Sequence, residues 1–371
     1  MVKGLVLTLV AVIFTLSIAI PVARNKIDDI RPAILPPKSA PQQSTRNLPF
    51  KVVNGFRIDE FAKDLGGARD LEFTAGGKLL VSVPNQGKIL QLPNKEIVIA
   101  GLNNPHGIAF NNGKLFVAEE QRVLRYSFEE ATSSAKLEKV LFTLPKGGRH
   151  TSRTIAFDQK GQMFVSIGSS CDVCVEAHPF FASVIVSNAE GENPRVFASG
   201  LRNAVFIAVH PQTDELWGVE MGRDFLGDDL PPDEINIIKD GVDYGWPYCY
   251  GNRVHDTNFD KNTYVRSPCD DTQAPVYEIQ AHSAPLGLAF DKNSLLVSYH
   301  GSWNRSIPVG YKVVRLNLDQ IKVVGEEDFI TEFIDGGQAI GRPVDLIFDK
   351  DGNLFVSDDK AGAVYKVTKI L

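Results

Sequence analysis

A short hairpin pattern recurs along the chain and constrains the fold more than any other feature. Each copy has an apolar strand ending near a Phe, a turn rich in Gly, Asn or Asp, and a second apolar strand, often followed by a third. Such turns are typical of β-hairpins, and strands rich in Val, Ile, Leu and Phe suit sheets buried on both faces. The copies begin at Arg69, His106, Arg153, Val205, Leu286 and Val344.

The number of copies predicts the architecture. Six hairpin repeats with variable insertions indicate about six sheets, and helical periodicity is nearly absent after residue 50. Arranging sheets radially around an axis protects many sheet edges at once. A β-sandwich would need fewer strands, and a β-helix would need a shorter, stricter period. The sequence therefore predicts an all-β fold, a six-bladed β-propeller over residues 50–371, with its largest insertion at 239–281.

The first 49 residues have a different character. Residues 4–20 are apolar and uncharged and follow Lys3, as in a signal peptide or an uncleaved membrane anchor. We therefore interpret 1–23 as a signal peptide or signal anchor, the latter a possible membrane tether. Either one places the rest of the chain in the periplasm or outside the cell. The five prolines of 24–49 predict an extended Pro-rich linker.

Charge and cysteine content narrow the function further. The formal net charge is -6 and no run of Lys or Arg occurs, which excludes a nucleic-acid-binding surface. The four cysteines of an exported chain are most simply two disulfides, and we favour the local pairs Cys171–Cys174 and Cys249–Cys269 among three possible connectivities. The sequence "CDVC" also suits a redox or zinc motif, although zinc would require a second close pair of ligands.

Basic side chains precede the first strand of several repeats. These positions converge at one end of a propeller, beside the central channel, so a shared pocket is expected. A single such residue could merely close a loop, but five of the six repeats carry His or Arg there. Arginine pairs with carboxylates, and histidine is a base near neutral pH. The residues are His106, His150, Arg202 with Asn203, His282 and Arg342.

An acidic loop, "MGRDFLGDDLPPDE" at 221–234, has two possible explanations. It places five carboxylates among two glycines and two prolines. Calcium takes six to eight oxygen ligands from carboxylates, carbonyls and water, so the loop could border a calcium site. The spacing is not that of an EF-hand, and plain solvation explains the composition equally well. Both explanations stay open at this point.

Several motifs together resemble one family. "GLRNAV", "DEINIIKDGVDYGWP", "GGRHTSR", "HSAPLGLAF" and "HGSWNRS" are similar to motifs of the soluble pyrroloquinoline-quinone-dependent sugar dehydrogenases, in particular the L-sorbosone dehydrogenase-like branch. The resemblance runs from about residue 50 to the C-terminus. It implies a six-bladed propeller that binds the quinone and calcium at one end. It also implies oxidation of a sugar or sugar-derived aldehyde, with a quinone or cytochrome as electron acceptor.

The resemblance also assigns roles to residues. It implies that His150 is the catalytic base, and it implies a set of cofactor-binding side chains: Arg202, Asn203, Arg342, Arg305, His106, His282 and His300. Arg305 is our choice for the basic position of the fifth repeat, with His300 as the other candidate. The backbone carbonyls of Gly222 and Arg223 would bind the calcium at the quinone, and Glu234 and Tyr244 would bind a second, structural calcium.

Departures from the family pattern keep other hypotheses open. Glucose-oxidising members have an Asp where this chain has Ser169, and a Gln where it offers Leu102. These differences argue against glucose as the substrate. A second hypothesis is therefore a propeller without catalysis that binds an extracellular glycan or protein, because fold does not settle function. A third is a calcium-dependent hydrolase of the lactonase kind, which would need acidic and amide ligands near the channel axis.

Overall fold

Six antiparallel sheets are arranged as the blades of a propeller, and each corresponds to one hairpin repeat. The protein was analysed as a computed structural model, in which residues 48–370 and the backbone of the strand Gln42–Gln43 are described. The first strands of adjacent blades contact one another around the ring, so they lie nearest the axis. The predicted all-β, six-bladed fold is confirmed.

The blades are numbered in chain order, and their strands run from the axis outwards. Blade 1 consists of Leu71–Phe73, Leu79–Val83, Lys88–Leu92 and Glu96–Ala100; blade 2 of Ile108–Asn111, Lys114–Ala118, Arg122–Glu129 and Ser134–Thr143; blade 3 of Ile155–Phe157, Gln162–Ile167, Ser183–Asn188 and Arg195–Ser199. Blade 4 consists of Ile207–Val209, Leu216–Glu220, Asp233–Ile238 and Tyr277–Ile279; blade 5 of Pro285–Asp291, Ser294–Tyr299, Lys312–Asp319 and Lys322–Thr331; blade 6 of Pro343–Phe348, Leu354–Asp358, Ala363–Lys369 and Phe56–Ala62.

Shorter elements extend these blades. Val242–Asp243 adds to blade 3 in parallel, and Lys51–Val52 followed by Gln42–Gln43 extends blade 5. Two small hairpins and one 3₁₀ turn complete the secondary structure, and residues 48–370 contain no α-helix. These elements are Cys249–Tyr250 with Val254–His255, Ile334–Asp335 with Gln338–Ala339, and Pro84–Gln86.

The sixth blade joins the two ends of the folded chain. Its outermost strand, Phe56–Ala62, pairs antiparallel with Ala363–Lys369, and Phe56 lies opposite Lys369. The pairing buries Ile58 and Val367 in a core shared with blade 5. The repeat pattern did not predict this closure, because neither strand carries a local signal for a partner so distant in sequence.

Serine hydroxyls connect neighbouring blades. Ser298 and Ser357 occupy the second strands of blades 5 and 6, and each accepts a hydrogen bond from an inner-strand N–H of its own blade. Each hydroxyl then donates to a carbonyl of the next blade, that of Val344 and of Arg69 respectively. Ser166 of blade 3 makes the same pair of bonds. These repeated bonds fix the angle between blades and satisfy buried backbone groups.

Close contact between the inner strands of blades 2 and 3 requires glycine. A Cβ on Gly107 would lie 2.6 Å from the carbonyl oxygen of Arg153 in the adjacent blade. The Gly107 N–H donates to that same oxygen at 2.7 Å. Any side chain here would separate blades 2 and 3 just below the loops that bear His106 and His150.

The insertion at 239–281 belongs mainly to blade 4. Its end contributes the outermost strand, Tyr277–Ile279, and the disulfide Cys249–Cys269 closes the loop before that strand. The other predicted disulfide, Cys171–Cys174, is also confirmed, so the "CDVC" cysteines are joined to each other. Among the described residues, no helix is long and apolar enough to cross a membrane. The predicted signal or anchor at 1–23 and most of the predicted linker lie outside the described residues.

Candidate active site

A cavity of about 310 Å³ lies at the end of the propeller where the inner strands of blades 3 to 6 begin. We call it the cationic cavity. The structure brings most of the predicted residues together in its wall: His150, Arg202, Asn203, Gly222, His282, His300 and Arg342. The expected convergence of basic side chains from separate repeats is therefore present. Arg149, Asp224, Asp233 and Trp303 also line the cavity.

His150 is oriented by a hydroxyl. Its Nδ1 lies 2.9 Å from Ser169 Oγ, and that hydroxyl lies 2.6 Å from the carbonyl oxygen of Cys171. Because a carbonyl only accepts, the Ser169 hydroxyl donates to Cys171 and accepts from Nδ1–H. The remaining ring nitrogen, Nε2, then carries the free lone pair. Burial lowers the pKa of His150 to about 3, and the Arg202 guanidinium adds to the shift, so the ring is neutral near pH 7.

Arg202 is held by carboxylates from two loops. Its Nη2 lies 2.7 Å from Asp172 Oδ1 and 3.4 Å from Asp224 Oδ2, and its Nε donates to the Asp172 carbonyl at 2.9 Å. Asp224 also pairs with Arg149 at 2.9 Å. Asp172 belongs to the loop that the Cys171–Cys174 disulfide closes. The same short loop thus supports both His150, through the Cys171 carbonyl, and Arg202.

Arg342 differs from Arg202 in having no carboxylate partner within 4.0 Å among the described residues. Its guanidinium donates to the backbone carbonyls of His300 and Gly301 and lies 5.6 Å from the Tyr311 ring centroid. Burial lowers the pKa of Arg342, but a guanidinium stays protonated. The cavity therefore contains a fixed positive charge that an anionic ligand could neutralise.

The acidic loop is tied to other parts of the protein. Asp233 accepts the N–H groups of Gly222 and Ala284 at 2.9 and 2.8 Å. Asp229 pairs with Arg305 at 2.9 Å, and Asp228 accepts from the Arg305 neighbour Ser306. Most of the loop's carboxylates therefore accept hydrogen bonds from protein groups. Plain solvation therefore does not account for these carboxylates, and the predicted calcium site at the loop stays a prediction.

Arg305 and His106 lie outside the cationic cavity. Arg305 points to the acidic loop, whereas His300, the other candidate for the fifth repeat, lines the cavity. His106 lines a separate cavity beside it, together with Arg69 and Asp359. The structure thus does not bring these two predicted cofactor-binding residues together with the rest.

A small void beside the cationic cavity is lined by two buried glutamates. Glu220 and Glu234 face a space of about 20 Å³, together with Trp246. Glu220 Oε2 has no hydrogen-bond partner. Burial raises the pKa of Glu234 to about 7, and burial together with Glu234 raises the pKa of Glu220 well above its usual range. Two adjacent buried carboxyl groups with raised pKa values have the chemistry of a metal site.

The other predicted calcium ligands would act through backbone oxygens. The Tyr244 hydroxyl is occupied, because it donates to Ile237 O and accepts from Lys239 N–H. The carbonyls of Tyr244, Gly222 and Arg223 accept no hydrogen bond within the described residues. Tyr244 and Arg223 line the void with Glu220 and Glu234, and Gly222 lines both the void and the cationic cavity.

Sequence reasoning missed several site residues. Arg149 directly precedes His150, so its position gave a signal that we did not use. Trp303 lies within the motif "HGSWNRS", and Glu220 ends the strand before the acidic loop. Asp172 carried no signal, because its role depends on the shape of the disulfide-closed loop.

Comparisons with known proteins identify the family to which the chain belongs. Residues 50–370 match the family described as TrAA12-like. An uncharacterized protein of Borreliella burgdorferi is 31% identical over 348 residues, covering 86% of this chain and 90% of that protein. A pyrroloquinoline quinone-dependent pyranose dehydrogenase of Coprinopsis cinerea is 24% identical, covering 90% of this chain but only 56% of the relative.

A solved structure gives the same result for the fold. The iodide structure of a Trichoderma reesei enzyme of carbohydrate-active family AA12 has a TM-score of 0.76 and 21% identity, covering 89% of this chain and 100% of that one. The family match spans nearly all of the propeller and agrees with the motifs first noted in the sequence. The chain therefore belongs to the TrAA12-like family of soluble pyrroloquinoline-quinone-dependent sugar dehydrogenase-like propellers.

Proposed function

We propose that the protein is an oxidoreductase that depends on pyrroloquinoline quinone and calcium and oxidises a sugar or sugar-derived aldehyde outside the cytoplasm. The observation that carries the proposal is the pairing, in one cavity, of an oriented neutral imidazole with an arginine that lacks a carboxylate partner. Family membership and the similarity to the pyrroloquinoline quinone-dependent pyranose dehydrogenase of Coprinopsis cinerea support it. The proposed location of the protein outside the cytoplasm rests on the predicted signal or anchor at 1–23.

The residues of the cationic cavity fit the cofactor. Arg342 would pair with a carboxylate of the quinone, and Arg202 with Asn203 would contact it from blade 4. Gly222 and Arg223 would offer their unoccupied carbonyl oxygens to the calcium bound with it. When bound, pyrroloquinoline quinone supplies the two-electron acceptor for hydride from the substrate carbon.

His150 would take the proton of the substrate hydroxyl on Nε2. Ser169 fixes the proton of the free ring on Nδ1, so Nε2 is ready to accept without a change of tautomer. The low pKa keeps the His150 imidazole unprotonated near pH 7, but it also makes this imidazole a weaker base.

Glu220 and Glu234 would hold a structural calcium in the small void. Burial makes both carboxyl groups costly to ionise, and Glu220 Oε2 also has no partner, whereas the Glu234 oxygens accept from Gly251 and Asn236. A divalent cation would offset the cost of ionisation for both side chains. Calcium should therefore raise the unfolding temperature of the apo-protein. The double variant Glu220→Gln, Glu234→Gln should lose most of that response, and an equal response in both proteins would exclude this site.

The other hypotheses have less support. A lactonase-type hydrolase needs acidic side chains free to bind its ion near the channel, but Asp224 and Asp233 in this cavity are occupied by protein donors. A non-catalytic binding module would not require the Ser169 hydroxyl, hydrogen-bonded to the Cys171 carbonyl, to orient His150.

Reconstitution tests the proposal. Purified apo-protein loaded with calcium and pyrroloquinoline quinone should reduce an artificial electron acceptor when given aldoses or aldehydes. The His150→Ala protein, loaded in the same way, is the matched control for background reaction of the free quinone. If a broad sugar and aldehyde panel gives no turnover and no change in quinone absorbance, the proposal is wrong.

A further inference from the structure

A second cavity of about 310 Å³ lies beside the cationic cavity, at the same end of the propeller. We call it the neutral cavity. Its wall comes from the loops of blades 1, 2 and 6 and from the loop leading into blade 3. The polar residues that line it are Arg69, Asn85, Asn104, His106, Ser152 and Asp359. Its volume is in the range of ligand-binding pockets.

The charged groups of the neutral cavity cancel. Arg69 Nη1 lies 2.8 Å from Asp359 Oδ2, so the guanidinium and the carboxylate form an ion pair. Burial, together with the nearby Arg69, lowers the pKa of His106 well below its usual range, so this ring is neutral. The lining thus offers hydrogen-bonding groups without a net charge, which favours an uncharged polar ligand over an anion.

His106 presents an unused acceptor. Its side chain is 3% exposed, and its Nδ1 lies 3.2 Å from the carbonyl oxygen of Arg153. Because the carbonyl only accepts, Nδ1 carries the proton and Nε2 is a bare acceptor. Nε2 has no hydrogen-bond partner, and a buried polar atom of this kind calls for one. Nε2 itself is fully buried, so a small rotation of the ring toward the cavity would let a ligand hydroxyl donate to it.

Amide and hydroxyl groups surround this acceptor. The Nδ2 of Asn104 donates a hydrogen bond to Thr151 Oγ1 at 3.2 Å, and the Oδ1 of Asn104 accepts none within the described residues. The side chains of Asn85 and Ser152 make no hydrogen bond within the described residues. Amides and hydroxyls both donate and accept, as the hydroxyl groups of a sugar do.

The two cavities are separated by single side chains. His300 lines the cationic cavity, and its Nε2 lies 3.0 Å from Oδ1 of Asp359, which lines the neutral cavity. On the other side, Thr151, the partner of Asn104, directly follows His150. The two cavities therefore share a wall, and ligands bound in both would lie next to each other.

We propose that the neutral cavity is a subsite for a second sugar ring, so the preferred substrate is an oligosaccharide with a reducing end and not a free monosaccharide. The reducing ring would react in the cationic cavity, and the next ring would hydrogen-bond to His106 Nε2 and the Asn104 amide. This inference rests on the proposed function for its reaction, but the subsite itself is defined by groups that the cofactor does not use.

Substrate comparison tests the subsite. The loaded protein is assayed with glucose, cellobiose and maltose, and the readout is the ratio of disaccharide to glucose kcat/KM. We expect at least one disaccharide to be favoured about tenfold, because a site built to bond a hydroxyl discriminates against its absence. His106→Leu should bring that ratio close to one through KM. Asn104→Ala, at a more exposed position, should lower it in the same direction even if the His106 variant folds poorly.

The matched control is His178→Leu, the same change at an exposed histidine outside both cavities, which should leave the ratio unchanged. A second readout is saturation-transfer NMR of the disaccharides on the apo-protein, where the signal of the non-reducing ring should weaken in both cavity variants. Glucose preferred over both disaccharides, or ratios and NMR signals equal in wild type and variants, would overturn the subsite. Absence of all turnover would instead overturn the proposed function, and NMR would still decide the subsite.

Discussion

The cationic and neutral cavities have similar volumes and share one end of the propeller, yet their electrostatics differ. Both contain an arginine that stands just before the inner strand of a blade, Arg342 in one and Arg69 in the other. Arg69 is neutralised by Asp359 at 2.8 Å, whereas Arg342 donates only to backbone carbonyls and faces a ring. The residue of blade 6 that corresponds to Arg69 is Val344, so Arg342 lies two residues earlier in its repeat than Arg69 does in its own.

The comparison shows that an arginine in the loop before an inner strand does not by itself decide what a cavity binds. The deciding group is the partner supplied by a neighbouring loop. Asp359 follows the second strand of blade 6 and pairs with both Arg69 and His300, so it sets the charge on the boundary between the cavities. A single carboxylate thus separates a surface suited to an anion from one suited to hydroxyl groups.

The largest expected effect comes from removing the His150 imidazole from the cationic cavity. His150→Ala should lower kcat by about 10³-fold, within the usual range for loss of a general base. Quinone affinity should stay within about threefold of wild type, because the arginines remain. Stopped-flow reduction of the bound quinone measures the chemical step, and retained turnover would remove His150 from its role.

A second prediction tests whether the unpaired charge binds the cofactor. Arg342→Gln should weaken quinone binding by about 10- to 100-fold, since a charge-assisted hydrogen bond contributes about 1.5–3 kcal/mol. Arg305→Gln is the comparison, because its guanidinium is paired with Asp229 outside the cavity and should change affinity by less than about threefold. Absorbance titration with calcium present gives both values, and equal losses would favour the original assignment of Arg305.

The third prediction concerns pH. With a pKa of about 3, His150 is neutral at every working pH, so kcat/KM should show no acid limb from this group above about pH 5. Ser169→Asp would place a carboxylate beside Nδ1, stabilise the imidazolium and raise the pKa of His150. The variant should therefore lose activity as the pH falls toward 5, where wild type does not. Identical pH profiles in wild type and variant would contradict the hydrogen bond between Ser169 and His150 Nδ1.

The smallest effect should come from breaking the neutrality of the second cavity. Asp359→Asn would leave Arg69 without its partner and give this cavity a net positive charge. Relative to cellobiose, a disaccharide whose non-reducing ring is a uronate should then gain about three- to tenfold in kcat/KM. The amide keeps the shape of the side chain, so a change in stability alone would affect both sugars equally.

The sequence predicted the parts of the fold that have local causes. Each blade begins as a hairpin, and the alternation of apolar strands and Gly- or Asp-rich turns is visible within about 20 residues. The closure of blade 6 by Phe56–Ala62 was not predicted, because strand pairing over such a distance leaves no periodic signal. The two disulfides were predicted by sequence proximity and are confirmed.

The site was predictable where position in the repeat determines location. His150, Arg202 and Arg342 meet because all three precede inner strands. The partners of these residues, such as Ser169, were not predictable in the same way, since they depend on how loops from separate blades pack. The roles of all the site residues stay predictions until the variants are measured.

The paired strands of blade 6 have a consequence for the order of assembly. Arg342 stands at the start of that blade, and the blade is complete only when a strand from each end of the propeller has docked. We therefore expect a polypeptide truncated at either side to lack an affinity for the quinone even if its first five blades are native. Binding of the quinone would then indicate that the six blades have closed into a complete propeller.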